Sequence, residues 1–489
     1  MKLNLKSIIA NLPKLKFPHL PTNLILILVI FSLGILTGYA IFKNYASKPL
    51  VQEIPQDKYV AFILESYDKI NQNYWENLSE DQLVSLYKQS AERLTGRVQK
   101  LNTKGKNTPS PQNPTTQLLP GGNLGASINL RGSSVTDLKI LPQNDQQQTT
   151  SQRQALEQMT STVLKEVDST KKKDFTIQLI SQVLQSLQPA GRSGLYTQKM
   201  ETQLKNTVQN INPEKDLYKD LGLAKGASEQ EVEQSYQQKE QELKKEDSPQ
   251  AQEELKKIAY AKDVLTDQDR KKNYDTKGVE PTTASRLITS DIAYLKFDKF
   301  SPTTYEEFVK IVTSYDQPSG PKTLIFDLRG NIGGAIDALP FFLGNFLGDK
   351  QYVYDFMRKG ELEPYKSVGN KLAGLGRMKQ VVILVDNQTQ SSAELLAAAL
   401  KRYHFGIVLG VPTKGWGTVE KVMPLDNQIE ESEKYSLFLV HSITLRDDNQ
   451  PIEGRGVEPD INIQSAGWEK QLLEYFRYPE LLAAVKNVI

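Results

Sequence analysis

Three short apolar runs near the C-terminus restrict this chain more than any other feature. "KTLIFDL" (322–328), "QVVILVD" (380–386) and "GIVLGV" (406–411) are nearly continuous and rich in branched residues. Strands that read this way are buried on both faces, since a strand with one wet face alternates apolar and polar residues. Helical patterns fill the intervals at 335–346 and 391–402, and "YSLFLVHSITL" (435–445) reads as a longer strand. Strands alternating with helices predict crossover units, and so an α/β core from Asp291 onward.

At 489 residues there is room for roughly two to four folded units. Residues 23–43 contain the charge-free stretch "LILILVIFSLGILTGYAIF" (24–42), which as a helix spans about 28 Å, close to the hydrocarbon thickness. Lys2, Lys6, Lys14 and Lys16 precede it, in a basic tail (1–22) that predicts a cytoplasmic N-terminus and an exported remainder. A cleaved signal peptide, with "GYA" at 38–40 as its small-x-small site, is the rival reading. Both put the bulk of the chain outside the cytoplasm; the anchor predicts a single-pass membrane protein. Residues 50–98 show helical spacing in "YVAFILESYDKI" and "EDQLVSLYKQSAERL". Residues 99–152, rich in Pro, Gly, Asn, Gln and Thr, read as a flexible linker. Residues 153–212 return to helix, interrupted by "QPAGRSG" at 188–194.

With no cysteine and only His19, His404 and His441, thiolate chemistry is excluded and a metal site is not expected. A net charge of +2 carries no nucleic-acid footprint. No cofactor motif is present, and none is expected.

The unit at 213–279 contains "LYKDLGL", Tyr236, "AYAKDVLTDQDRKKNYD" and a closing glycine, with Ser228 and Glu231 as a capping pair. This span resembles a J domain, the module with which co-chaperones stimulate a partner ATPase. The family's His-Pro-Asp loop would fall near Lys244, Lys245 and Glu246, where it is absent. The resemblance therefore implies a helical binding module, and a chaperone partner is not expected.

Over 285–475 the segments "DIAYLKFDKFSPTTYEEFVKIV", "LIFDLRGNIGGAID", "VVILVDNQTQSSAELLAAAL", "GVPTKGWGTVE" and "IEGRGVEPDINI" follow one another in a telling order. That order and spacing resemble the carboxyl-terminal processing peptidases, or tail-specific proteases. The resemblance implies a core of the ClpP/crotonase type and a serine endopeptidase acting on protein or peptide substrates. The family's PDZ domain has no counterpart here, and the J-like unit stands in its place.

"DLRGNIGGA" opens from a buried strand, and its glycines permit close backbone approach with outward-facing amides. By resemblance, a Gly333 or Gly334 amide and the Ser392 amide form an oxyanion hole, while Asp327 and Arg329 brace the loop. Ser391 and Glu394 form an S-x-x-E helix cap when considered locally; the resemblance makes Ser391 the nucleophile. Its expected partner is a lysine in a Gly-Lys-Gly context, oriented by a glutamine. Here those positions hold Trp416 and Glu420. An indole N–H donates but accepts no proton, so Lys414, two residues earlier, is the replacement base. His441 reads as a core histidine and His404 as a helix C-terminal residue. Two further functions stay open: a catalytically impaired peptide-binding scaffold, and a co-chaperone acting through the J-like unit.

Overall fold

The computed structural model describes residues 57–96 and 145–489. In chain order, helices α1 (Lys58–Asn73), α2 (Glu80–Thr95), α3 (Asp145–Glu166) and α4 (Lys172–Ser186) precede strand β1 (Gly194–Thr197) and α5 (Gln198–Gln209). The J-like unit supplies α6 (Leu217–Asp220), α7 (Glu229–Leu243), α8 (Pro249–Thr266) and α9 (Gln268–Lys277). Then come β2 (Thr283–Leu287), β3 (Ile292–Phe297), α10 (Thr304–Ser314), β4 (Thr323–Asp327) and α11 (Leu339–Leu347). The hairpin β5 (Tyr352–Arg358) and β6 (Glu361–Lys366) leads to α12 (Ala373–Gly376), β7 (Gln380–Val385) and α13 (Ser392–Arg402). The chain closes with β8 (Ile407–Gly410), β9 (Thr418–Pro424), β10 (Tyr435–Leu445), β11 (Ile461–Asn462), α14 (Trp468–Phe476) and α15 (Pro479–Val488).

The three apolar runs are β4, β7 and β8, inside a six-stranded sheet ordered β11-β8-β7-β4-β3-β2. Its pairings are parallel apart from β2 on β3. Period-2 geometry sends Leu324, Phe326, Val381 and Ile383 to one face, against α10, α11 and α13. Ile325, Val382 and Leu384 go to the other, against α14 and α15. Burial on both faces is why these runs lack polar residues.

A second sheet went unread in the sequence. It runs β1-β10-β5-β6, with β9 also paired to β10, and is antiparallel. The 435–445 strand therefore belongs to this sheet and not to the crossover sheet. Alternation there is blurred by a bulge between Val440 and Ser442. Its inner face (Leu437, Leu439, Val440, Ile443) packs on Val60, Ile63 and Tyr67 of α1 and on residues of α2, α3 and α4. The buried Glu65 carboxylate fastens α1 to the loop before β10, accepting from the Asp426 and Asn427 amides at 2.7 Å each. Two corrections belong here. Helix α3 begins at Asp145, inside the stretch read as linker, and β1 interrupts the segment read as helical.

The J-like unit has a core of its own, built from Leu217, Tyr218, Val232, Ile258, Ala261, Val264 and Leu265. Ser228 and Glu231 make the expected capping box on α7. Lys310 of α10 bridges to Asp267 (3.2 Å) and Asp269 (2.9 Å), fixing the end of the unit nearest the sheet. Lys244, Lys245 and Glu246 are exposed between α7 and α8. Among the described residues no helix is long and apolar enough to cross a membrane. The candidate anchor at 23–43 lies outside those residues, as does most of the 99–152 segment.

Candidate functional site

The loop after β7 is pinned before it turns into α13. The Thr389 hydroxyl donates to the Leu328 carbonyl (2.9 Å), and the Gln390 amide to the Asn331 carbonyl (2.9 Å). Ser391 then adopts φ 58° and ψ −126°, a conformation that costs a non-glycine residue about 1–3 kcal/mol. Strand, strained turn and helix follow one another here as they do around the nucleophile of many serine hydrolases. Glu394 Oε2 accepts the Ser391 amide at 2.8 Å, which is one half of a capping box. The Ser391 hydroxyl makes no cap hydrogen bond, and the Glu394 amide goes to the Ser391 carbonyl oxygen instead, at 2.8 Å. The local cap reading is therefore half right: the glutamate caps, and the hydroxyl is left over.

Facing this turn is the glycine loop. A Cβ on Gly333 would lie 2.6 Å from Ser391 Cβ, and one on Gly334 would lie 2.1 Å from the Phe300 carbonyl oxygen. Only glycine fits at either position. The Gly333 amide is engaged, donating to Asn331 Oδ1 at 2.8 Å, and so is withdrawn from the expected hole. Among the described residues the Gly334 amide has no acceptor. The Ser392 amide has none either, as befits the first residue of a helix. The Ser392 hydroxyl donates to the Gly334 carbonyl at 3.3 Å, which keeps these two segments together. Asp327 and Arg329 pair at 2.6 Å behind the loop, with Tyr294 also donating to Asp327.

Glu394, read from sequence only as a cap, is the hub of the site. Fully buried, it accepts from Ser391, from the Thr413 hydroxyl (2.5 Å), and from the Gly415 (2.7 Å) and Trp416 (2.8 Å) amides. Burial raises its carboxyl above the ordinary range, and these four donors pull it back. The Ser391 turn and the loop carrying Trp416 thus converge on one carboxylate.

In that loop Trp416 donates its indole N–H to Glu420 at 3.0 Å. Arg192, from the loop before β1, stacks 3.4 Å from the ring centre and pairs with Glu453 at 3.0 Å. Glu453 also accepts the Gly417 amide at 2.8 Å. Burial raises the Glu420 carboxyl, opposed by its hydrogen bonds from Thr418 and Trp416 and by the Arg192 charge. Lys414 is exposed; its amide donates to the Thr389 carbonyl (3.0 Å), and its amine lies 5.4 Å from the Trp416 ring centre. Nothing local in the sequence marks Arg192 or Glu453, because both act across more than 30 intervening residues. His441 sits in the second sheet, bonded to Ser442 and Lys421, and His404 follows the end of α13 at φ 50°.

Residues 291–463 match peptidase family S41, and residues 216–275 match the DnaJ domain. A carboxy-terminal-processing protease of Bartonella bacilliformis is 26% identical over 186 residues, covering 37% of this chain and 41% of that protein. A carboxyl-terminal-processing protease of Picosynechococcus is 28% identical over 187 residues, covering 36% and 44%. The chain thus spans about two fifths of the length of these relatives. The solved photosystem II D1 C-terminal processing protease is 20% identical, with a TM-score of 0.33, over 38% of this chain and 49% of that one. The resemblance drawn from the motifs holds: residues 291–463 match peptidase family S41 and are similar to carboxyl-terminal processing proteases, and the segment before them matches the DnaJ domain.

Proposed function

We propose that this chain is a membrane-anchored serine endopeptidase that cleaves unstructured or C-terminal protein segments outside the cytoplasm. One observation carries the reading: Ser391 stands in a strained elbow with its hydroxyl uncommitted and the Gly334 and Ser392 amides free beside it. We take the core to be of the ClpP/crotonase type. Ser391 Oγ attacks the scissile carbonyl carbon, its proton passes to the Lys414 amine, and the oxyanion accepts from the two amides. Collapse expels the peptide amine, which takes that proton and leaves an acyl ester on Ser391. Water, giving a proton to the Lys414 amine, attacks the ester carbon, and Ser391 Oγ leaves with that proton as the acid is released.

A second reading, a peptide-binding scaffold without turnover, is favoured by Trp416 in the base position under Arg192. Cleavage of an unstructured peptide separates the two. On the first reading, Ser391→Ala and Lys414→Ala fall to a common floor, and the double variant falls no further. On the second, wild type already lies at that floor, and Trp416→Lys with Glu420→Gln raises it. Cleavage that survives Ser391→Ala defeats the catalytic assignment.

A further inference from the structure

A corner of the second sheet gathers cations without counter-ions. Arg358 ends β5, Lys359 opens the turn after it, Lys421 lies on β9, and His441 sits at the bulge of β10. Trp75 joins these elements: its amide donates to the Val440 carbonyl (3.1 Å), and its carbonyl accepts from the Lys359 amide (2.5 Å). Lys421 Nζ stands 3.4 Å from His441 Nε2, and His441 Nδ1 stands 2.9 Å from the Ser442 hydroxyl. An ammonium can only donate, so Nε2 accepts and the ring is neutral with its proton on Nδ1.

Carbonyls at the end of α1 hold the other two cations, Gln72 accepting from Arg358 (2.8 Å) and Asn71 from Lys359 (2.9 Å). Those carbonyls carry only the partial charge of a helix terminus. Among the described residues no carboxylate lies within ion-pair distance of Arg358, Lys359 or Lys421. Glu361, opposite Arg358 in the hairpin, makes no ion pair with it. Arg358 Nε is buried without an acceptor.

We propose that this corner binds a compact oxyanion, the phosphate or carboxylate group of a ligand, between Lys421 and Arg358, with His441 taking up a proton as it binds. Burial and the Lys421 and Arg358 charges hold the His441 ring down at about 4. Burial and Arg358 likewise hold Lys359 below its ordinary value. An anion reverses the sign of the local field, and protonated His441 then becomes a third donor. Binding and proton uptake are therefore linked.

The test is a histidine-selective NMR titration of the full chain at constant ionic strength, with His441 assigned from His441→Gln. Chloride, inorganic phosphate, acetate, and a short peptide with a free or amidated C-terminus form the arms. Phosphate and acetate are expected to move the His441 midpoint upward by about one pH unit or more relative to chloride. Lys421→Gln, an exposed change that leaves the fold intact, should abolish the movement, and Arg358→Gln should do the same. A free-carboxylate peptide binding more tightly than phosphate, with its amide inert, identifies a polypeptide terminus as the source. The reverse order identifies a free phosphate. A midpoint that no anion moves, or that moves equally in Lys421→Gln, overturns the site. None of these outcomes depends on Ser391 chemistry.

Discussion

Arg192 stacks on Trp416 while its guanidinium pairs with Glu453, both side chains being less than one fifth exposed. Sheltered from water, a cation over an indole face contributes about 1–2 kcal/mol, and the charge-assisted hydrogen bonds add to it. Arg192→Ala should therefore lower stability by about 2 kcal/mol, read by urea denaturation, and shift the emission of Trp416 to the red. Arg192→Lys should restore less than half of the loss, because an ammonium cannot stack as a planar guanidinium does. Unchanged stability and emission in Arg192→Ala would remove the clamp.

His441 gives a prediction of the opposite kind. Its folded value is lowered from 6.5 to about 4, so between those pH values the unfolded chain binds the extra proton. Stability from this group is complete above 6.5, rises with pH through the window, and is lost as pH falls towards 4. In chloride buffer, His441→Gln should flatten the denaturation midpoint across that window. An unchanged slope would show that His441 does not titrate there.

Among the elements, the J-like helices are the informative case. Their core is complete without the loop between α7 and α8, since Leu217, Val232, Ile258 and Leu265 all lie on helix faces packed away from it. That loop presents Lys244, Lys245 and Glu246 where a His-Pro-Asp run would stand. The full chain should leave the hydrolysis rate of a DnaK-type ATPase unchanged, and a several-fold stimulation would overturn the binding-module reading. At the other end of the unit, the Lys310 bridges to Asp267 and Asp269 are more than half exposed on the lysine side, so they orient the unit more than they stabilise it.

For the whole molecule, the charge-free segment at 24–42 after a lysine-rich tail motivates an external location for everything that follows. A reporter fused after Ile489 should be active only on the external side of the membrane. Cytoplasmic activity of that fusion would defeat the localisation. The N-terminal helices α1 to α4 cover the second sheet, so the region nearest that segment is part of the folded body and cannot be trimmed without exposing Leu437, Leu439 and Ile443.

The crossover sheet was legible in the sequence because burial on both faces strips polar residues from a strand, as in β4 and β7. Glycines at 333 and 334 were legible because close backbone approach tolerates no other residue. The capping pair of α7 was legible because its two partners are three residues apart. The second sheet was not: β5 buries four residues in a row, β6 buries none and β9 buries only Thr418, so none of them alternates, and the bulge in β10 breaks its period. Nor was the state of Ser391. An S-x-x-E pattern fits both a cap and an elbow, and the choice rests on a backbone angle imposed by Thr389, Asn331 and Glu394. Arg192, Glu453 and the four donors around Glu394 meet only when the chain has closed. Contacts between residues far apart in the chain leave no period or spacing behind, so only the tertiary structure decided what packs around Trp416.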